Sequence, residues 1–213
     1  MAEILYTDEH IAVCVKPVGT DAEHGMPEKL SGRLPGSFWP VHRLDTAVGG
    51  VMVLARTPSA AAALTEAVRR REWHKEYRAV VSGVPETGVW EDWLFHDARR
   101  NKSYVVSRER KGVRKARLSC RLCAQTEEAG QTLSLLAIEL DTGRTHQIRV
   151  QCASRGTPLL GDARYGSRER RCTPALWAYR LTFSHPVTGE QLTFTAPPPD
   201  RFPFSLFPAP DGE

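Results

Sequence analysis

The chain has 213 residues, a formal net charge of +4 and 41% hydrophobic residues. This length fits one domain, since domains run about 50–250 residues, and the apolar share is ample for a core and too high for a disordered chain. No stretch reaches the roughly 18 apolar residues of a membrane span, the start Met1-Ala2-Glu3-Ile4-Leu5-Tyr6 lacks the parts of a signal peptide, and five cysteines, an odd and sparse set, argue against a disulfide scaffold and for a reducing cytosol.

In chain order, Ile4 to Val15 reads as two strands around the polar turn Thr7-Asp8-Glu9-His10, closed by Lys16-Pro17-Val18-Gly19. Residues 20–40 are rich in Gly and Pro and read as a loop. Val51 to Ala55 is continuously apolar, as in a buried strand. Thr57 then caps a helix with Pro58 at its first position, and Arg69-Arg70-Arg71 suit its C-terminal end. Tyr77 to Val81 is a strand stopped by Ser82-Gly83. Tyr104 to Val106 and Ala116 to Leu122 read as strands flanking a basic hairpin, and Leu133 to Leu140 as a further strand. Thr145 to Arg155 reads as a helix closed by Gly156. Leu176 to Phe183 and Gln191 to Thr195 pair around His185-Pro186-Val187-Thr188-Gly189, and the Pro-rich end is extended. Strands outnumber helices and adjoin antiparallel partners, so the expected fold class is α+β, with a mixed, largely antiparallel sheet and flanking helices.

The small net charge hides an asymmetry. Between Arg99 and Arg121 ten basic residues, Arg110, Lys111, Arg114 and Lys115 among them, are opposed only by Glu109, so the segment carries +9 and the rest of the chain −5. Such a segment fits a polyanion partner; the competing reading is the solvated face of a twisted hairpin.

Three segments are rich in groups that do chemistry. In Val41-His42-Arg43-Leu44-Asp45, at the mouth of the apolar strand, a carboxylate kept ionised by a guanidinium suits a nucleophile or a base. The same residues also fit a surface turn with a local ion pair. In Thr142-Gly143-Arg144-Thr145-His146-Gln147-Ile148-Arg149, Gly143 allows a tight turn into a helix whose first N–H groups suit an anion. The competing reading is a capped helix start with solvated arginines. In Lys75-Glu76-Tyr77 a tyrosine at the head of a strand suits stacking on a base, or is an ordinary strand aromatic. Cys120 and Cys123 have CxxC spacing but no second pair follows, which falls short of the roughly four ligands of a zinc site. There is no Gly-rich nucleotide loop.

In this order the segments resemble the RluA-type pseudouridine synthase family. Lys16-Pro17-Val18-Gly19 is similar to its early KPxG, and His42-Arg43-Leu44-Asp45 to its catalytic HRLD, followed by Gly50 to Ala55. Lys75 to Gly83 is similar to its KxYxAxVxG strand. Leu140 to Val150 and Gly156 to Gly166 resemble its long third motif, and His185-Pro186 and Ala196-Pro197 its closing elements. The resemblance spans about residues 4–204. Two positions depart from it: Val48-Gly49-Gly50 replace the usual Thr-Ser-Gly, and Trp177 stands where many relatives have His. No S4-type RNA-binding segment is read before Ile4. The expected organisation is a single catalytic domain over 1–213, with residues 205–213 as a frayed tail.

The resemblance implies an isomerase that turns uridine in rRNA or tRNA into pseudouridine, with no cofactor or metal. Asp45 is then the catalytic carboxylate, as nucleophile or as base, with Arg149 as its ion-pair partner and Tyr77 stacked on the target base. Arg43 fills the space of the flipped nucleotide. His42, Lys16, Lys75, Arg144, His146 and Gln147 are the remaining substrate-side candidates, with Lys16 and Arg144 open to a phosphate or a structural role. Arg110, Lys111, Arg114 and Lys115 are candidates for the RNA backbone. A cytoplasmic monomer away from membranes is the accompanying expectation. The rivals are a non-catalytic RNA-binding protein or RNA chaperone that keeps the fold, and an enzyme acting on free nucleotides.

Overall fold

A computed structural model describes residues 2–208. In chain order the elements are β1 (Glu3–Thr7), β2 (Ile11–Lys16), α1 (Gly25–Ser31), β3 (Trp39–Pro40), β4 (Gly49–Ala55), α2 (Pro58–Arg70), β5 (His74–Ser82), β6 (Gly88–Asp97), β7 (Lys102–Val106), β8 (Val113–Glu128), β9 (Gln131–Leu140), α3 (Gln147–Ser154), β10 (Leu176–Ser184) and β11 (Gln191–Thr195). The chain divides into two compact units, one of residues 1–76 and 177–197 and one of 77–176 and 198–213. It passes from the first to the second within β5.

In the first unit the strands run β1-β2-β4-β10, with β11 on β10 and β3 on β4. The β4–β10 pair is parallel; β1–β2, β2–β4, β3–β4 and β10–β11 are antiparallel. The expected α+β class with a mixed, largely antiparallel sheet is what the chain adopts. Strand β2 up to Val15 and strand β4 carry no polar side chain, because both of their faces are covered. Ile11, Val13, Val51 and Val53 pack with Ala60 and Leu64 of α2, while Ala12, Cys14, Met52 and Leu54 pack with Met26 and Leu30 of α1. Helix α1 lies inside the segment read as a loop. Its Pro27 falls in the first turn, where a missing N–H costs nothing, and Met26 and Leu30, four residues apart, form its buried stripe. Helix α2 begins as expected, with the Thr57 side chain accepting from the Ala60 N–H at 3.2 Å.

The second unit orders its strands β5-β9-β8-β6-β7. The basic segment is not one hairpin. Strand β7 pairs with one edge of β6 and β8 with the other, so the two basic strands are separated by β6, which the sequence reading passed over. Helix α3 lies over β6 and β7, with Val150 and Ala153 packed on Leu94, Val105 and Ala116. Six consecutive residues of α3, Gln147 to Cys152, are buried. Gln151 Nε2, and Arg155 just past the helix, both donate to Asp92 Oδ2, at 2.6 and 2.8 Å, whereas the buried Gln151 Oε1 has no hydrogen-bond partner among the described residues.

The end of the chain differs from the expected frayed tail. Phe204–Leu206 form a 3-10 turn, and Phe207 is buried with Val80, Leu133 and Leu160, joined by Phe202 and Leu206. Four apolar side chains within six residues give this segment a core of its own to join. Residues 209–213 lie outside the described part. Among the described residues no helix is long and apolar enough to cross a membrane, and no group of acidic, His and Cys side chains is arranged to hold a metal ion.

Candidate functional site

Asp45 lies half-buried in the turn that leads into β4. Its carbonyl accepts from the Val48 N–H at 2.9 Å, and the next carbonyl, of Thr46, accepts from the Gly19 N–H at 2.8 Å. Lys16 completes the anchor. It is 0% exposed, and its ammonium donates to the carbonyls of Pro17, Thr20 and Thr46 at 3.2, 2.8 and 3.4 Å. Burial pushes its pKa down to about 8, against the pull of the Asp45 and Asp21 carboxylates. Of the two roles open to Lys16, this geometry fits the structural one: the lysine clips the 16–20 turn to the Asp45 turn.

The two departures at the start of β4 belong together. Gly49 is the register partner of Trp177. A Cβ on residue 49 would lie 2.4 Å from the Trp177 ring and 3.0 Å from the Lys16 carbonyl, and the Trp177 indole N–H is bound to the Ala196 carbonyl at 2.9 Å. A wide ring at 177 thus requires no side chain at 49. Gly50 has φ +123°, with a notional Cβ 2.2 Å from the Ala178 carbonyl oxygen, so it is tied to glycine independently.

His42 is turned inward. Its Nε2 accepts from the Val53 N–H at 3.1 Å and its ring meets Trp73 edge-on at 5.1 Å. Burial, then the Lys75 cation, pushes its pKa down to about 3, so the ring is a neutral acceptor that fixes the HRLD turn against β4. Lys75 lies over the Trp73 ring at 5.2 Å, and burial pushes its pKa down to about 8. Arg43 points outward, 63% exposed, in a 3.1 Å pair with Glu23. Tyr77 is 9% exposed in a stretch of β5 where Glu76 to Val81 are all buried.

In the second unit Arg149 is held by a residue the sequence reading did not single out. Asp162 takes its Nε and Nη2 at 2.7 and 2.8 Å, with the two side chains 7% and 1% exposed. The pair uses the guanidinium fork in two parallel bonds. The Tyr165 ring lies 5.2 Å from the same guanidinium. The Tyr165 hydroxyl accepts from the Ser103 N–H at 2.8 Å and shares a 3.0 Å bond with His146 Nδ1. His146, at φ +56°, and Gln147 are therefore structural parts of the turn into α3. Gln147 accepts from the Thr142 hydroxyl at 2.8 Å and the Arg144 N–H at 3.1 Å, and donates to the Arg117 carbonyl at 3.1 Å. Arg144 donates to the Lys115 carbonyl at 3.0 Å. In the sequence the Gly-Asp-Ala-Arg-Tyr run is the tail of a motif, and its signal is a carboxylate directly after a glycine, Gly161, which the fold holds at φ +78°.

The four basic candidates do not share one face. Register places Lys115 beside Trp93 and Arg114 beside Leu94, on opposite sides of the sheet. Lys115 pairs with Glu91 at 2.9 Å, and the Arg110 guanidinium lies 5.7 Å from the Phe95 ring.

Residues 10–154 match the family model described as RNA pseudouridylate synthase. The chain is 35% identical over 226 residues to the ribosomal large subunit pseudouridine synthase D of Xanthomonas campestris, covering 92% of this chain and 66% of that protein. It is 37% identical over 177 residues to the enzyme of the same name from Vibrio cholerae, covering 75% of this chain and 52% of that protein. It thus spans about half to two thirds of the length of these curated relatives. Among solved structures, Human RNA Pseudouridylate Synthase Domain Containing 1 superposes with a TM-score of 0.81 at 24% identity, over 93% of this chain and 84% of that one, which speaks for the fold.

Proposed function

Since the chain belongs to the RNA pseudouridylate synthase family, we propose that it isomerises uridine in RNA to pseudouridine, with Asp45 as the catalytic carboxylate. The reaction breaks the N1–C1′ glycosidic bond and forms a C5–C1′ bond. The proton on C5 leaves and N1 gains one, so atoms balance with no second substrate, cofactor or metal. Arg149 holds the charge and direction of the Asp45 carboxylate. Tyr77 stacks on the target base and assists transfer of the C5 proton. Arg43, exposed and bound only by a surface ion pair, fills the gap left by the everted nucleotide, whose removal from the stack costs a few kcal/mol. Arg110, Lys111 and Lys115 meet the RNA backbone. Ribosomal RNA is the first substrate class to test, in keeping with the relatives' names, with transfer RNA second and the cytoplasm as the site of action.

The observation that carries this reading is the anchoring of the Asp45 turn. A fully buried lysine spends its three donors on main-chain carbonyls, one of them next to Asp45. That expense holds one carboxylate in place, as a catalytic group requires. The test is tritium release from RNA labelled at uridine C5. Wild-type protein releases tritium and Asp45→Asn does not, while RNA binding is kept. Release by the variant at the wild-type rate contradicts the role of Asp45, and full activity on free UMP contradicts an RNA substrate.

A further inference from the structure

Strand β6 lies between β7 and β8, and its alternation splits its side chains between two faces. Leu94 and Ala116 face α3 and are 3% and 0% exposed. The odd-numbered residues of β6 face the other way. There Trp93 lies between Val106 and Lys115, and Phe95 lies opposite Tyr104. These three rings are only half-buried. Cations surround them. The Lys102 ammonium is 5.6 Å from the Tyr104 ring, the Arg100 guanidinium bonds the Tyr104 hydroxyl, and Arg110 lies 5.7 Å from Phe95.

Half-open aromatic rings interleaved with cations on a sheet face match one ligand chemistry closely. Unpaired bases stack on the rings and the phosphates between them meet the cations. An acidic peptide would satisfy the cations and leave the rings without planar partners. Duplex RNA would hide its base faces. We infer that this face of β6, β7 and β8, in the second unit, is a stacking platform for a single-stranded RNA segment, whereas the Asp45 turn belongs to the first. The inference rests on the proposed RNA substrate for its choice of nucleic acid, but not on the catalytic role of any residue.

The probe is an oligoadenylate of about 12 nucleotides, which suits a single-strand site and, lacking uridine, is no substrate. Wild-type protein binds it. Trp93→Leu and Tyr104→Leu each weaken binding about ten-fold, the size of one base–aromatic stack, and Trp93→Phe, which keeps a ring, restores most of it. Arg110→Gln lowers the salt slope by about 0.7, as for one phosphate on a single strand. Ultraviolet crosslinking of the unaltered protein to the same oligonucleotide marks the peptides that hold Trp93 and Tyr104, which needs no variant to fold. The inference is overturned by crosslinks confined to other peptides. It is equally overturned by leucine variants with unchanged melting that bind within about two-fold of wild type, or by polyglutamate binding that falls in step with oligoadenylate. Tritium release in parallel keeps the two claims apart. Asp45-dependent release without ring-dependent binding sinks the platform alone, and ring-dependent binding without release sinks the catalytic reading alone.

Discussion

Lys16 in the first unit and Arg149 in the second are both cations taken out of water, and the protein compensates them differently. Lys16 is surrounded by main-chain carbonyls, whose partial charges replace hydration without neutralising it. Burial consequently dominates, and its pKa falls to about 8. Arg149 instead meets a buried carboxylate through two parallel bonds, so its charge is balanced in place. The first arrangement joins two turns and is sensitive to protonation. The second fixes the direction of a guanidinium through a planar, two-bond fork.

Breaking the balanced pair tests this contrast most severely. Asp162→Ala leaves the Arg149 charge buried with its main partner gone, and is expected to lose about 3–5 kcal/mol of stability in urea unfolding. Asp162→Asn, which keeps an acceptor, loses less. If Arg149 serves Asp45, the asparagine variant also lowers kcat for tritium release more than it raises KM. A loss under 1 kcal/mol for Asp162→Ala, a marginal value by the measure of such pairs, removes the claim that the pair is a structural hub.

Lys16→Met is expected to cost about 3 kcal/mol, since three carbonyls lose their donor. The pH dependence sharpens the comparison. The folded lysine releases its proton at about pH 8 and the unfolded one at its ordinary value of 10.5. Between these the unfolded chain holds more protons, so this group's contribution to stability rises as pH rises through that window. The difference between wild type and Lys16→Met, followed by unfolding across that range, shows the rise; a flat difference contradicts the carbonyl cage. Gly49→Ala drives a methyl into the Trp177 ring and should cost about 2 kcal/mol, with recovery when Trp177→His is added. Equal melting of Gly49→Ala and wild type breaks the link between these two positions. Glu23→Ala, which removes the exposed partner of Arg43, should change stability by no more than about 0.5 kcal/mol.

The same contrast explains what was readable in the sequence. The Asp45 turn is held by Lys16 and Gly19 from far earlier in the chain, but both stand in a short run that the family resemblance marks beside the HRLD run. The Arg149 anchor comes from Asp162, thirteen residues on, in a loop whose purpose only the fold reveals. Strand β6 went unread because both of its faces mix polar and apolar residues: Trp90, Asp92 and Leu94 on one side, Glu91, Trp93 and Phe95 on the other. No two-residue contrast remains. In α3, Gln147, Arg149 and Gln151 alternate with Ile148, Val150 and Cys152, a strand-like pattern in a helix. From Gln147 to Cys152 the helix is buried on every side, and Arg149 and the Gln151 amide nitrogen find carboxylate partners inside. Helix α1 was hidden by glycine and proline that its short length tolerates.

The central claim is that the Asp45 carboxylate isomerises a uridine in RNA. Its most direct measurement is pseudouridine mapping in total RNA from cells lacking the gene, complemented with wild type or with Asp45→Asn at equal protein levels. The account predicts at least one position that loses its pseudouridine in the deletion, regains it with wild type and stays uridine with the variant. Restoration of that position by Asp45→Asn would contradict it.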